Sequence, residues 1–411
     1  MKTAEHNQKK CVIIGGGAAG FFAAIQCAEI GDGMDVRILE RAGKVLAKVK
    51  ISGGGRCNLC HAAYDPSELV KAYPRGEKAL LGPFYQFCSG DTVAWFAERG
   101  VETKTESDGR MFPVTDSSQT IIDCLEGAAE AAGVVVTRHC NVNGLAQEAD
   151  GKWRVNTEDG QCFVADQVLV APGSSQKLWA ALADLGHTIV SPVPSLFTFN
   201  VKDERLKDLP GLAMEAEVTV PGTKLRETGP VLITHWGLSG PAVLRLSAWG
   251  ARALAGQDYR FTVQVNWAPG LHLDAVANLL REARDTHPKR QVAANSLLGM
   301  PARLWKRLVQ HSGIATEQRW AETGNKVLLR LAENLGAGKF AVTGKSTFKD
   351  EFVTAGGVKL AEVNFKTMES KLFPGLFFAG EILNIDAITG GFNFQAAWTT
   401  GWIAGKAMGE S

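Results

Sequence analysis

The chain has almost no net charge. Its 411 residues carry 44 Lys and Arg against 43 Asp and Glu, a formal +1, so no global field recruits nucleic acid or an anionic membrane, and only a local basic face could. It has no long apolar run: nothing approaches the roughly 20 residues of a membrane-spanning helix. The opening MKTAEHNQKK is polar and passes straight into an apolar strand, without the apolar core of a secretory signal. The eight cysteines are scattered, which argues against a disulfide framework and for reduced, mostly buried thiols in a cytoplasmic protein. Internal repeats and low-complexity linkers are also absent. What remains has ordinary globular composition, 45% hydrophobic and 21% charged, and length enough for two or three domains.

Glycine, by contrast, is abundant and clustered. The stretch KISGGGRCNLCH, residues 50–61, holds three in a row, Gly53, Gly54 and Gly55, which suits a backbone bent around an anionic ligand. Its second half, Cys57-Asn-Leu-Cys60-His61, is a C-x-x-C-H string that fits covalent haem, zinc or a redox disulfide. Haem attachment normally follows export, for which no signal is visible. A structural zinc site needs paired knuckles, and the chain has one. Neither haem nor metal is expected.

The apolar run CVII is followed by Gly15-x-Gly17-x-x-Gly20 and a helix of small residues. A second strand, Asp35-Val-Arg-Ile-Leu-Glu40, ends in an acid twenty residues beyond Gly20. This spacing predicts a βαβ unit that holds a dinucleotide. Gly15 makes the tight turn, Gly17 lets a pyrophosphate approach, and Gly20 lets helix and strand pack. The helix N-terminus faces the phosphates and Glu40 takes a ribose hydroxyl.

Further along, 91–100 and 117–133 read as helices, and 134–166 as short strands leading to QVLVAPG, a return to the first sheet. Beyond Pro192 and Pro194 come strand-like EAEVTV and YRFTVQVNW, then three amphipathic helices, LDAVANLLREAR, PARLWKRLVQH and NKVLLRLAENL. Between Lys289 and Arg330 there are eight Lys and Arg against two Glu. These cations are either solvated helix faces or a surface for phosphates. Near the end, the strand LFFAG meets Gly380-Glu381, and Thr389-Gly390-Gly391-Phe392-Asn393 opens a last helix, a second glycine-to-helix cradle. The expected organisation is a discontinuous cofactor domain, 1–194 and 346–411. Inserted in it are a β-rich substrate domain, 195–272, and a helical cap, 273–345.

The fingerprint, KISGGGRCN, GRMFPVTDSSQTIIDCL, THWGLSGPAVLRLS, VTAGGV, TMESK and PGLFFAGEILNIDAITGGFNFQAAW occur in that order. Together they resemble the BaiN/RdsA-like family of bacterial NAD(P)/FAD-dependent oxidoreductases, nearly end to end. The resemblance implies an α/β, Rossmann-like FAD-binding domain of the two-dinucleotide type, with non-covalent FAD. Gly15, Gly17, Ala18, Ala19 and Gly20 would hold the pyrophosphate, and Glu40 with Arg41 the adenosine end. Lys48 and the run Ser52 to Asn58 (Ser52, Gly53, Gly54, Gly55, Arg56, Cys57, Asn58) would wrap the middle, with Val142, Ala171 and Gly173 as further contacts. Gly380, Glu381, Asp386, Gly390, Gly391, Phe392 and Asn393 would line the ribityl chain and isoalloxazine, with the last helix aiming its positive end at the pyrimidine edge.

The chain departs from the family at Ala171-Pro172-Gly173, where proline removes a donor, and at Cys60-His61, which read as local variation. A flavin-reducing disulfide between Cys57 and Cys60 stays open. The expected chemistry is hydride transfer from NADH or NADPH through FAD to a conjugated acceptor, with a protein acid supplying the proton. Catalytic candidates are Cys57, His235 and Arg56. Expected partners are ribosomal RNA, held by the basic helices 289–330, or a small molecule; a flavin-binding redox or assembly factor without its own turnover is a third reading. No second GxGxxG marks a separate nicotinamide domain, so the donor would dock transiently.

Overall fold

The computed structural model describes residues 8–346 and 353–411. It divides into two units, Met1–Val193 with Lys349–Ser411, and Pro194–Phe348.

The first unit is built on a seven-stranded sheet. In spatial order its strands are Val363–Asn364, Glu369–Ser370, Leu376–Phe378, Gln167–Val170, Lys10–Ile14, Asp35–Leu39 and Val135–Thr137. The last five run parallel. The three central ones, Leu376–Phe378, Gln167–Val170 and Lys10–Ile14, are buried almost throughout and mostly apolar, as parallel sheets covered by helices require. Helix Ala18–Ile30 follows the first strand, and helix Phe392–Gly409 closes the chain. These two helices meet along a seam of small residues at four-residue spacing. A Cβ on Gly401 would lie 2.5 Å from the Ala19 carbonyl oxygen, and one on Gly405 2.3 Å from that of Ala23. The helices can therefore touch backbone to backbone.

A buried polar tie pins the excursion between the strands of residues 353–378. His187 Nδ1 lies 3.1 Å from Glu362 Oε2, and its Nε2 lies 3.1 Å from Ser370 Oγ. Ser370 Oγ also accepts from the N–H groups of Leu372 and Phe373, so its own O–H donates to His187 Nε2. His187 then carries its own hydrogen on Nδ1 and donates it to Glu362.

The second unit contains a closed six-stranded antiparallel barrel, in the order Thr198–Val201, Gly237–Ser239, Arg226–Ile233, Ala213–Thr219, Phe261–Asn266 and Gly338–Ser346. Closure removes exposed sheet edges. The final strand alternates, with Gly338, Phe340 and Val342 buried and the residues between them exposed. The segment expected as a helical cap, 273–345, thus ends in a barrel strand. Its helices Leu273–Thr286, Ala302–His311 and Asn325–Gly336 share one core with the barrel, including Trp267, Trp305 and Trp320.

Candidate functional site

The βαβ turn is tight because its glycines leave no alternative. A Cβ on Gly20 would lie 2.0 Å from the Gly15 carbonyl oxygen, and one on Gly15 2.4 Å from that of Ala171. Gly17 differs: it is the N-cap of helix Ala18–Ile30, and a Cβ there would meet nothing within 4 Å. Open space thus lies in front of a helix N-terminus whose first amides have no side-chain cap, the setting that favours a phosphate. Glu40 is held by two backbone amides, Gly16 N–H to Oε2 and Ala42 N–H to Oε1, each 2.8 Å. Each oxygen keeps a free lone pair for a ribose hydroxyl. Residues 139–140 run beside it, His139 and Cys140 donating to the carbonyls of Ala42 and Glu40, and lead to Val142 at the start of the next strand. Arg41 is exposed.

Two further loops converge on the same turn. Lys48 pairs with Glu381 at 2.5 Å, and Glu381 Oε2 lies 3.6 Å from where a Gly173 Cβ would be. A Cβ on Gly380 would sit 3.1 Å from that of Ala19. Gly15, Ala19, Lys48, Ala171, Gly173, Gly380 and Glu381 therefore form one neighbourhood, although they span most of the chain.

The triple glycine breaks helix Ala47–Gly55. Ser52 turns extended, and Gly53, Gly54 and Gly55 take φ of 58°, 69° and 87°, a left-handed run that side chains resist. A Cβ on Gly54 or Gly55 would meet open space. The loop then reaches the second glycine cradle. With the Asn58 amide oriented to satisfy both partners, its oxygen accepts from Gly391 N–H at 3.0 Å and its NH2 donates to the Cys60 carbonyl at 3.2 Å. Asn393 brackets Ala387, accepting from its N–H and donating to its carbonyl. Tyr73 donates to the Phe392 carbonyl at 2.6 Å. The open spaces at Gly17, Gly54 and Gly55, the uncapped helix start and the half-used Glu40 carboxylate together fit an extended dinucleotide such as FAD.

The catalytic candidates fare differently. Cys57 is fully buried, and burial, only partly offset by a hydrogen bond with Ser52, pushes its thiol up to about 12. At neutral pH the thiol therefore stays protonated. Cys60 is likewise buried and raised by burial, and its thiol faces Met111 Sδ at 3.7 Å. Both thiols are free. Arg56 is committed to Glu106 at 2.7 Å and Asp116 at 3.5 Å, with its guanidinium 4.0 Å over the Phe112 ring. Asp386 is wholly buried and paired with Arg75, so it braces the loop and presents no surface to a ligand. His235 belongs to the other unit, exposed at a hairpin tip. Cys57, Arg56 and His235 thus do not form one constellation within the cofactor unit. His61, which reads from the sequence as local variation, stands against the second glycine cradle. Its ring stacks on Phe392 at 4.6 Å, Nε2 contacts the Asp108 carbonyl at 3.1 Å, and the buried Nδ1 has no hydrogen-bond partner among the described residues.

Comparison with known proteins agrees with this geometry. The family model described as the HI0933-like protein Rossmann domain matches residues 9–407. A 3-dehydro-bile acid delta(4,6)-reductase of Clostridium scindens is 32% identical, covering 97% of this chain and 98% of the relative. A ribosomal RNA dihydrouridine synthase of Escherichia coli is 28% identical over 97% of each. Among solved structures, a 3-ketosteroid-delta4-(5alpha)-dehydrogenase of Rhodococcus jostii superposes with a TM-score of 0.54 at 15% identity, covering 100% of this chain and 99% of the other. Among the described residues no helix is long and apolar enough to cross a membrane, and no cluster has the makings of a metal site. With the βαβ cradle and a match across nearly its whole length, the chain belongs to the HI0933-like Rossmann-domain family and is an FAD-binding oxidoreductase.

Proposed function

We propose that the protein is an NAD(P)H-driven reductase of a carbon–carbon double bond conjugated to a carbonyl, and that its substrate is a uridine in large-subunit ribosomal RNA. FAD, when bound, supplies the hydride relay between nicotinamide and acceptor. Gly15, Gly17 and Gly20 with the first helix hold its pyrophosphate, Glu40 its ribose, and Lys48, Glu381 and the 52–58 and 390–393 loops the remainder. Buried Cys57 and Cys60 exclude water and keep the loop in shape. The unit Pro194–Phe348 serves as the substrate side.

One observation carries the RNA reading: charge is divided unevenly. Residues 194–348 hold 20 Lys and Arg against 13 Asp and Glu, whereas the rest holds 24 against 30. Of the eight cations between Lys289 and Arg330, only Arg307 has an ion-pair partner among the described residues, Asp208. A phosphate backbone is the ligand that unpaired cations favour, and two relatives are named ribosomal RNA dihydrouridine synthases. The test is nucleoside mass spectrometry of large-subunit rRNA from cells with and without the gene. Loss of one dihydrouridine on deletion, restored by the intact gene, is the expected result; no change sinks the RNA reading.

A second reading is favoured by the higher identity to the bile-acid reductase: a steroid-like enone, which shares the conjugated double bond with uracil. In that case an enone reoxidises the reduced enzyme with little dependence on salt, since no counterions are released.

A further inference from the structure

The second unit displays an aromatic ring where burial would ordinarily be expected. Trp236 is 59% exposed, the most exposed of the ten tryptophans. It sits beside exposed His235 on the tip joining strands Arg226–Ile233 and Gly237–Ser239. The tip is not loose. Thr234 Oγ1 accepts from the N–H groups of Trp236 and Gly237, Thr234 N–H donates to the Gly237 carbonyl at 2.8 Å, and the Trp236 carbonyl accepts from Val201 N–H at 2.9 Å. A large apolar ring on a fixed backbone is a preorganised contact, its ordering cost already met on folding.

The same barrel end carries unpaired cations. Loop 202–212 leaves the barrel at Val201, beside Trp236, and returns through Gly211 and Leu212, which exchange hydrogen bonds with Ile233 at the root of the tip. Asp208 in this loop pairs with Arg307 at 2.6 Å, which places helix Ala302–His311 at this end. That helix buries Leu304, Trp305, Leu308 and Val309 and turns Arg303, Lys306 and Arg307 the other way. The loop's carboxylates are all engaged: Asp203 by Arg205, Glu204 by Lys207, Asp208 by Arg307. Lys202, Arg303 and Lys306 have no ion-pair partner among the described residues.

From this juxtaposition we infer that the barrel end is a landing face for single-stranded RNA: an unpaired base stacks on Trp236 while neighbouring phosphates lie on Lys202, Arg303 and Lys306. An aromatic face beside unpaired cations is the combination that single-stranded nucleic acid uses, because every base has a π-face and every nucleotide a charge. A small apolar substrate calls for an enclosed pocket instead. The inference rests on the RNA reading above and adds the surface on which that RNA is held.

Full-length, FAD-loaded protein is titrated into a fluorescein-labelled, uridine-rich single-stranded RNA, followed by anisotropy between about 50 and 200 mM salt. Trp236→Ala is expected to weaken binding roughly ten-fold with an unchanged salt slope. Arg303→Gln with Lys306→Gln should flatten that slope by about two. Trp249→Ala, on a helix of the same unit and 42% exposed, should do neither. Flavin content and melting temperature show that each variant is folded. If wild type binds and Trp236→Ala binds equally well, this face is wrong and the RNA reading survives. If wild type does not bind at the lowest salt, both fall. If Trp236→Ala instead halves the molecular mass in solution, the tip is a contact between copies and the inference fails.

Discussion

At the scale of single residues, two glycines three positions apart make opposite demands. Gly20 has the Gly15 carbonyl where its Cβ would be, so Gly20→Ala forces strand and helix apart. We expect a loss of about 1–3 kcal/mol, the usual cost of overpacking, read by thermal melting with and without flavin. Gly17 has extended backbone and open space, so alanine is tolerated by the fold, at under about 1 kcal/mol, while its methyl occupies the phosphate's place. Gly17→Ala should melt normally as apoprotein yet retain little FAD, seen as a collapsed ratio of flavin to protein absorbance. Cys57→Ala should keep the rate of flavin reduction within about two-fold and cost about 1 kcal/mol of stability; a large loss of rate with flavin retained would restore the thiol to the chemistry. The fingerprint glycines and Glu40 were legible in sequence because their spacing is local. The burial of Cys57 cannot be read from a motif, and the Arg75–Asp386 pair, 311 residues apart, leaves no local signature at all.

At the scale of elements, the tie of His187 to Glu362 and Ser370 makes stability depend on pH. Burial holds His187 below the usual imidazole value, partly opposed by Glu362. As acid is added, the unfolded chain therefore takes up its proton before the folded one does. The contribution is complete above about pH 6.5 and declines below it. Burial lowers His61 in the same way. Glu362 acts at more acid pH: burial raises it, but hydrogen bonds from Thr188 and His187 carry it below its usual value, so its share is lost as pH falls through that lowered value. Melting temperature should fall from pH 7 to pH 5, and His187→Asn should shrink that slope without abolishing it. An unchanged slope would place the titration elsewhere. Several helices and strands were readable from apolar spacing and apolar runs, among them Ser118–Ala131, Ala302–His311 and Leu376–Phe378. The barrel's closure was not, because Gly338–Ser346 pairs with Thr198–Val201 across some 140 residues, and pairing partners carry no spacing signal.

At the scale of the molecule, near-neutrality conceals a division. A formal +1 overall is the balance of a basic inserted unit and an acidic cofactor unit. Despite a sequence pI of about 7.6, the protein should be retained on heparin at neutral pH, and Arg303→Gln with Lys306→Gln should elute at lower salt. Equal elution would mean that those cations face no extended anion. The helix seam has a further consequence, one that concerns time. Strand Leu376–Phe378 pairs with Gln167–Val170, and Gly401 and Gly405 must find Ala19 and Ala23. On a ribosome adding about 5–20 residues per second, the open edge of Gln167–Val170 therefore waits roughly 10–40 s for its neighbour. The barrel, complete once residue 346 emerges, can fold within that interval. The half-made sheet is the nascent chain's vulnerable species, and a scarcity of flavin would be felt only after the 390–393 loop has emerged.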